Sequence, residues 1–311
     1  MNRHRGVRAA AQDWRVTVEA PERPTIAELR AGTRVDGIYA CTRKDRAAAR
    51  NGVPYLALEL RDRTGSLTAR AFRDADFLAG QFERGDLVRV RGRAVRFRGE
   101  LQLELDAISR VEAESADPTE FLPVAYRDLD ELDGFLEHLA AEVHDRDYAA
   151  LLDSFLGDGA FRRALRRAPC TRSGHHAYLG GLLEHTVAVA TLVAETCTLH
   201  PRLNSDLLMC AAALHDVGKT REFELGAEIS LSQEGAMVGH VAMGQAMVVE
   251  RAGRLPRLPA EKLNALVHCL IGHHGPEALP GRRFRSPEAL ALYRLNSLDA
   301  TVKGALEHGL P

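Results

Sequence analysis

The sequence predicts a multidomain chain, an all-β barrel followed by an all-α domain, and three observations predict it. Residues 33–111 alternate apolar and polar positions between turn signals, the period of two that half-buried strands require. Residues 112–123 (EAESADPTEFLP) are acidic, carry two prolines and lack a period, as a linker does. Beyond them apolar positions recur at helical spacing, in segments separated by Gly and Pro. The 311 residues are enough for two domains with cores of their own. We divide the chain into a flexible leader (1–24), a β domain (25–112), a linker (113–123) and a helical domain (124–311).

In the β domain, Val35–Cys41 reads as the first strand, and the charged, Ala-rich Thr42–Asn51 as a connection ending in an Asn51-Gly52 turn. Val53–Leu60 places Leu56, Leu58 and Leu60 on one face and Tyr55, Ala57 and Glu59 on the other. Ser66–Phe72 turns Leu67, Ala69 and Ala71 inward and Thr68, Arg70 and Phe72 outward. A short helix is predicted over Asp74–Phe82. Leu87–Phe97 then alternates, and Arg98-Gly99-Glu100 turns it back into Leu101–Ile108. Five strands with one helix after the third is the layout of an OB-type Greek-key barrel, which binds oligonucleotides across its strand 2–3 face. Outward Tyr55 and Phe72, with Arg70 beside Phe72, supply base stacking and phosphate attraction. Arg89, Arg91, Arg93, Arg96 and Arg98 are expected to form a basic groove wall. A plain β domain with packing aromatics and solvated arginines is the competing reading.

The helical domain reads as Leu129–Glu142, Asp147–Phe155, Gly157–Arg167, Leu179–Leu199, Ser205–Leu214, Ala236–Arg251, Ala260–Cys269 and Pro287–Leu306. Candidate metal ligands recur on these helices or at their ends: His185, the adjacent His215 and Asp216, His240, His273, His274, and a polar pair, Asn296 and Asp299. Imidazole nitrogen with carboxylate oxygen suits Zn, Mn, Fe or Co better than Ca. Gly218 fits a helix stop after the His-Asp pair, and Lys219 sets a cation where a phosphate gains from it. A single buried histidine is more often satisfied by packing than by a metal. Five or six on separate helix ends need as many partners, and a metal provides them. His268 falls off this face and reads as core or support, and His4, His138, His144, His200 and His308 as surface.

Composition narrows the class. Residues 1–110 hold 22 Lys and Arg against 15 Asp and Glu, and the remainder 19 against 28, for a net charge of −2. A basic front half and an acidic back half suit polyanion capture and metal binding, although ordinary solvated surface accounts for the same asymmetry. Cys41, Cys170, Cys197, Cys210 and Cys269 are scattered and form no CxxC, so reduced thiols and a cytoplasmic location are expected. No apolar run approaches the ~20 residues of a membrane span, and the basic N-terminus has no signal-peptide core, so no membrane partner is expected. There is no GxGxxG, no phosphate-binding glycine loop and no nucleophile motif, which leaves metal-assisted hydrolysis as the reaction class.

Four motifs together resemble one family. HHAYLGGLLEHT (175–186), LHDVGK (214–219), GHVAMG (239–244) and HCLIGHHG (268–275) are similar to those of the YhaM-type 3′–5′ exoribonucleases, in which an OB-fold precedes an HD-superfamily phosphohydrolase domain. The resemblance spans about residues 30–303. It implies two divalent ions, Mn²⁺ or Co²⁺ first, with Fe²⁺, Zn²⁺ or Mg²⁺ as alternatives. It implies hydrolysis of single-stranded RNA, and of single-stranded DNA as a further substrate, to nucleoside 5′-monophosphates. On its motifs His185, His215 and Asp216 hold one ion, and His240 with His273 and His274 the second; which of His273 and His274 ligates stays open. Asp216 and Lys219 are the catalytic pair, Lys219 beside the scissile phosphate, and His175 and His176 are substrate contacts. The family's last helix carries Ala-Asp-x-Leu-Asp, and here Asn296 stands where the first Asp closes the site, with Asp299 on the same face able to compensate. Family members often continue past this helix, so contacts of a homo-oligomer are expected to differ. Two other readings stand beside the exonuclease: a nucleic-acid-binding protein with a weakened HD domain, and an HD phosphohydrolase acting on nucleotides.

Overall fold

A computed structural model describes residues 24–48, 52–112, 116–256 and 258–310. The predicted leader up to residue 23, with His4, and the Asn51 turn residue lie outside them. Five strands close into a barrel: β1 (Arg34–Ala48), β2 (Pro54–Asp62), β3 (Gly65–Ala71), β4 (Leu87–Phe97) and β5 (Glu100–Val111), in the order β1-β2-β3-β5-β4. β4 returns to pair with β1, and β3 pairs with β5 in parallel. The short helix α1 (Ala75–Ala79) follows β3. Leu56, Leu58, Leu60, Leu67, Ala69 and Ala71 fill the interior together with Val88, Val90 and Leu103. That is the alternation expected of the sequence. Arg98 and Gly99 both take positive φ, 53° and 89°, the left-handed pair that a tight β4–β5 hairpin needs.

β1 corrects one expectation. It runs through the charged stretch to Ala48, pairing Lys44 with Leu58 and Ala47 with Tyr55. A bulge between Cys41 and Arg43 re-aims its second half, which the short-strand reading missed. The predicted linker is also not a free spacer. Phe121 and Leu122 are fully buried, Phe121 against Ala40 and Leu87 of the barrel and Leu122 against Leu179 and Ile229 of the helical domain.

The second domain comprises α2 (Leu129–Ala141), α3 (Arg146–Leu156), α4 (Gly159–Arg167), α5 (Gly181–Leu199), α6 (Ser205–Leu214), α7 (Lys219–Glu222), α8 (Gln233–Val238), α9 (His240–Ala252), α10 (Ala260–Gly272) and α11 (Pro287–His308). It is not purely helical: β6 (Phe223–Leu225) and β7 (Ile229–Leu231) form a small hairpin whose Ala227 turn packs onto the barrel. The helix expected over 236–251 is broken at Gly239, where φ is +76°. By length and composition α5 could cross a membrane. Here it is the central core helix, burying Leu182, Leu183, Val189, Ala190 and Val193 against α2, α6 and α11.

A candidate metal centre where five helices meet

Each ligand candidate is set by a helix end or a buried helix face. α6 is capped by the Asn204 side chain and is buried from Leu207 to Leu214, so it drives its C-terminus into the core. His215 is its C-cap, and the chain then turns tightly through Asp216 and Gly218 into α7. Gly218 lies in the break between α6 and α7, with a right-handed φ of −62°. Its role is contact: a Cβ there would lie 2.0 Å from the His240 carbonyl oxygen. Only glycine lets the first residue of α9 come down onto the His-Asp turn. α10 delivers His273 at its C-cap, and α5 delivers His185 from its buried face.

The four inner imidazoles share one orientation. Nδ1 of His185 faces Asp299 Oδ2 at 2.6 Å, and Nδ1 of His215 faces the Ala212 carbonyl at 2.8 Å. Nδ1 of His240 faces Glu222 Oε1 at 2.9 Å, and Nδ1 of His273 the Leu270 carbonyl at 2.5 Å. All four partners can only accept, so the ring proton sits on Nδ1 and each Nε2 presents a lone pair. Those lone pairs converge on Asp216. His185 and His215 Nε2 stand 3.6 and 3.3 Å from Oδ2, and 3.2 Å from each other. His240 and His273 Nε2 stand 3.5 and 3.4 Å from Oδ1, and His274 Nε2 is 2.9 Å from His240 Nε2.

Lone pairs do not face one another at such distances without a cation between them. Asp216 Oδ1 and His273 Nε2 are buried and lack any hydrogen-bond partner, although 3.4 Å apart. Metal–ligand bonds of ~2.1 Å put neighbouring donors roughly 3–3.5 Å apart, which is the spacing present. The donors therefore fit metal ions, in two groups joined by one carboxylate: His185, His215 and Asp216, and Asp216, His240, His273 and His274. The first group is fully buried. The second opens outward, with His274 exposed and His240 half-buried.

The electrostatics hold the donors in ligating form. Burial lowers the pKa of His185 and His273, keeping them neutral. Burial raises the Asp216 carboxyl, but the Lys219 ammonium 2.8 Å away and His215 outweigh it, and the net shift is well below the usual carboxylate range. Burial opposes the Lys219 charge, yet the same pairing raises its pKa. Asp299 is also driven down, against burial, by its hydrogen bonds to His176 and His185.

The remaining predicted residues fall differently. Lys219 is brought in beside Asp216 Oδ2, and its Nζ also donates to Cys170 Sγ at 3.4 Å. Asp299 binds the far nitrogen of His185, so it supports that imidazole instead of joining the Asp216 groups. Asn296 is buried and gives its amide N–H to the His273 carbonyl at 3.1 Å. His175 is half-buried, with its ring 5.4 Å from that of His185 and its Nδ1 unpartnered. His176 is buried with both ring nitrogens engaged, by Tyr178 and Asp299, which closes it to a strand. His268 lies apart, accepting from the Arg285 backbone N–H at 3.0 Å. Glu222 and Cys170 were not legible in advance: nothing in the sequence marks a glutamate seven residues after His215 or a cysteine on a loop as neighbours of the centre.

On the barrel, Tyr55 and Phe72 pack against each other, tilted by 32° with ring centroids 5.3 Å apart. Arg70 lies over Tyr55 at 5.7 Å and over Phe97 at 5.2 Å, and Arg98 covers Phe97 at 5.3 Å. Phe97 extends the expected cluster, and Phe72 and Phe97 are exposed. The expected basic wall is interspersed with carboxylates. Arg89 is paired with Asp36 at 2.9 Å, and the groove beside Arg91 and Arg93 also holds Asp36, Glu104 and Asp106. Arg96 turns back onto the Gly99 carbonyl. Carboxylates thus stand among the arginines of the stripe, while Arg70 and Arg98 lie against the rings of the aromatic cluster.

The geometry has matching relatives. The HD domain family profile matches residues 182–301, which hold every member of the two Asp216 groups. The helical domain is an HD domain. An OB-fold nucleic acid binding domain profile of the tRNA anticodon type matches residues 39–111, so the HD domain follows an OB-fold. Over most of its length the chain is similar to proteins named 3′-5′ exoribonuclease YhaM. That of Shouchella clausii is 26% identical over 288 residues, 89% of this chain and 86% of that protein. That of Oceanobacillus iheyensis is 28% identical over 258 residues, 80% and 78% of the two. Among solved structures, the second OB-fold domain of replication protein A from Methanococcus maripaludis matches 28% of this chain and 93% of its own, with 20% identity and a TM-score of 0.24.

Proposed function

We propose that this protein is a metal-dependent 3′–5′ exonuclease that hydrolyses single-stranded RNA to nucleoside 5′-monophosphates. The observation that carries the reading is the convergence of imidazole Nε2 atoms on the two oxygens of Asp216, in an HD domain that follows an OB barrel. The 3′ polarity and the choice of RNA over DNA rest on the two relatives named exoribonuclease. Two ions fit the donor set, one on His185, His215 and Asp216, the other on Asp216, His240, His273 and His274; we take them to be Mn²⁺ or Co²⁺. Bound there, divalent ions supply Lewis acidity at a phosphoryl oxygen and make water a nucleophile at neutral pH.

The chain's own groups do the rest. Asp299 and Glu222 fix the tautomers of His185 and His240. Lys219 keeps its proton and stabilises the negative charge that grows on the phosphate during attack. Tyr55, Phe72 and Phe97 stack bases, which holds the strand without reading its sequence. We place the protein in the cytoplasm, where its five free cysteines stay reduced.

The test is purified protein with 3′- and 5′-labelled single-stranded RNA, in Mn²⁺ and in EDTA. A metal-dependent ladder shortening from the 3′ end is expected. Intact RNA that still shifts in a gel would overturn the reading in favour of a binding protein.

A further inference from the structure

At the seam between the barrel and the HD domain lies a cleft of about 470 Å³. Arg61 and Arg84 line it from the barrel, and Arg172, Ser173, Glu228 and Ser230 from the helical domain. Three guanidinium groups thus face one carboxylate, and the ion pair in the cleft, Arg84 to Glu228, is loose at 3.8 Å. Arg61 crosses the seam, its Nη2 donating to the Ala227 carbonyl at 2.8 Å. Its Nε is buried with no hydrogen-bond partner, a donor that a ligand oxygen would satisfy. Guanidinium is weakly hydrated and matches phosphate in a bidentate fork, so a cleft with this lining selects a phosphate over a neutral or cationic ligand.

The cleft connects the two sites already described. Tyr55 and Arg61 share the outward face of β2, six residues apart, which is roughly 20 Å at 3.3 Å per residue. Glu59 lies between them, opposite Arg43 in the strand register. At the other end, Arg172 and Ser173 sit on the loop between Cys170, whose Sγ is 4.0 Å from Asp216 Oδ2, and His175, whose ring neighbours His185. One side of that loop meets the metal centre and the other lines the cleft.

We infer that Arg61, Arg84 and Arg172 form a phosphate clamp on the single strand as it passes from the aromatic platform to the metal centre. The inference rests on the exonuclease reading and adds to it a length requirement. A strand long enough to reach the platform uses the clamp, and a dinucleotide does not. Phosphate contacts of this kind position a strand without selecting its sequence.

The experiment compares the full chain with Arg84→Ala, Arg172→Ala and the double variant; Arg61 is left intact because it also holds the seam together. Kinetics in Mn²⁺ are measured on a 20-nucleotide RNA and on bis(p-nitrophenyl) phosphate. RNA binding is measured in EDTA by anisotropy across a salt series. Each substitution is expected to raise KM on the long RNA about three- to tenfold at unchanged kcat. Each should also lower the slope of log Kd against log salt by about 0.7, the value for one contact to a single strand. Hydrolysis of the small diester should stay at the wild-type rate, and Arg172→Lys should restore the salt slope. An unchanged slope and KM would overturn the clamp, and so would an equal loss on the small diester, which places the damage in the centre. Because the slope is read in EDTA, the clamp stands or falls even if wild-type protein cleaves no RNA, the outcome that sinks the exonuclease reading alone.

Discussion

Removing the Asp299 carboxylate separates a ligand from a support. Its Oδ2 lies 2.6 Å from His185 Nδ1 and 3.1 Å from His176 Nε2, on the nitrogen of His185 that faces away from Asp216. Such a carboxylate makes the imidazole a better donor and holds its ring in place, and losing one of this kind costs about 10–100-fold in metal affinity. That range is about 1.4–2.7 kcal/mol. Asp299→Asn keeps an oxygen acceptor and loses the charge, so it belongs near the tenfold end. Asp299→Ala removes both and leaves the buried Nδ1 of His185 without an acceptor, so it belongs near the hundredfold end. The assay is titration of metal-free protein with Mn²⁺ by calorimetry, reading Kd and stoichiometry separately. A weaker Kd at unchanged stoichiometry is expected, with most activity restored at saturating Mn²⁺. Loss of one bound ion at every concentration would refute the reasoning and make Asp299 a direct ligand. An unchanged Kd would show that packing alone fixes His185.

Three substitutions and one change of condition test the structure further. Gly218→Ala puts a methyl 2.0 Å from the His240 carbonyl oxygen, and neither backbone can yield. Overpacking of this kind costs roughly 1–3 kcal/mol, so differential scanning fluorimetry should show Tm lower by several degrees, with weakened Mn²⁺ binding; a wild-type Tm would mean α9 moves freely. Tyr55→Ala and Phe72→Ala should each weaken RNA binding by about 1–3 kcal/mol while sparing hydrolysis of bis(p-nitrophenyl) phosphate, and equal RNA affinity would remove the platform from the strand's path. In EDTA the protein should lose stability on acidification. His185 and His273 have native pKa values lowered by burial, so below about pH 6.5 the unfolded chain binds protons that the native state refuses. Asp216 and Asp299, with lowered native pKa values, add a second loss below about pH 4. Melting temperatures flat from about pH 7.5 to 4.5 would contradict the first step, and flat from about pH 4.5 to 2.5 the second.

The barrel was legible in the sequence because most of its strands keep a period of two, which Leu56, Leu58 and Leu60 against Tyr55, Ala57 and Glu59 show residue by residue. The ligand histidines were legible because imidazoles on apolar helix ends need partners. What stayed hidden depends on register and on distance in space. The arginines of β4 look like a cationic wall in one dimension, and it is the strand register, with Asp36 opposite Arg91 and Glu104 opposite Arg93, that brings carboxylates among them. Gly218 reads as a helix stop by position, whereas its cause is a helix 22 residues later that must touch it. Glu222 and Asp299 sit behind imidazoles, and no spacing rule distinguishes a carboxylate that touches an ion from one that touches a ligand.

That distinction bears on Asn296. A family reading expects a carboxylate there and takes its absence as a site short of one negative charge. In the structure the residue serves otherwise, since its amide N–H holds the His273 carbonyl and braces the end of α10 on which that imidazole is mounted. A carboxylate in the same place would oppose the carbonyl with like partial charge. The negative charge is supplied one bond further out, by Asp299 through His185 and by Glu222 through His240. An imidazole backed by a carboxylate donates more strongly than a free one, so part of each charge reaches the ion through the ring. With Asp216 shared between the two groups, the centre holds three carboxylates against the single ammonium of Lys219. Asn296 is therefore weak evidence for a degenerate HD domain, because the charge it lacks is present on other helices and its own amide makes a hydrogen bond that a carboxylate could not.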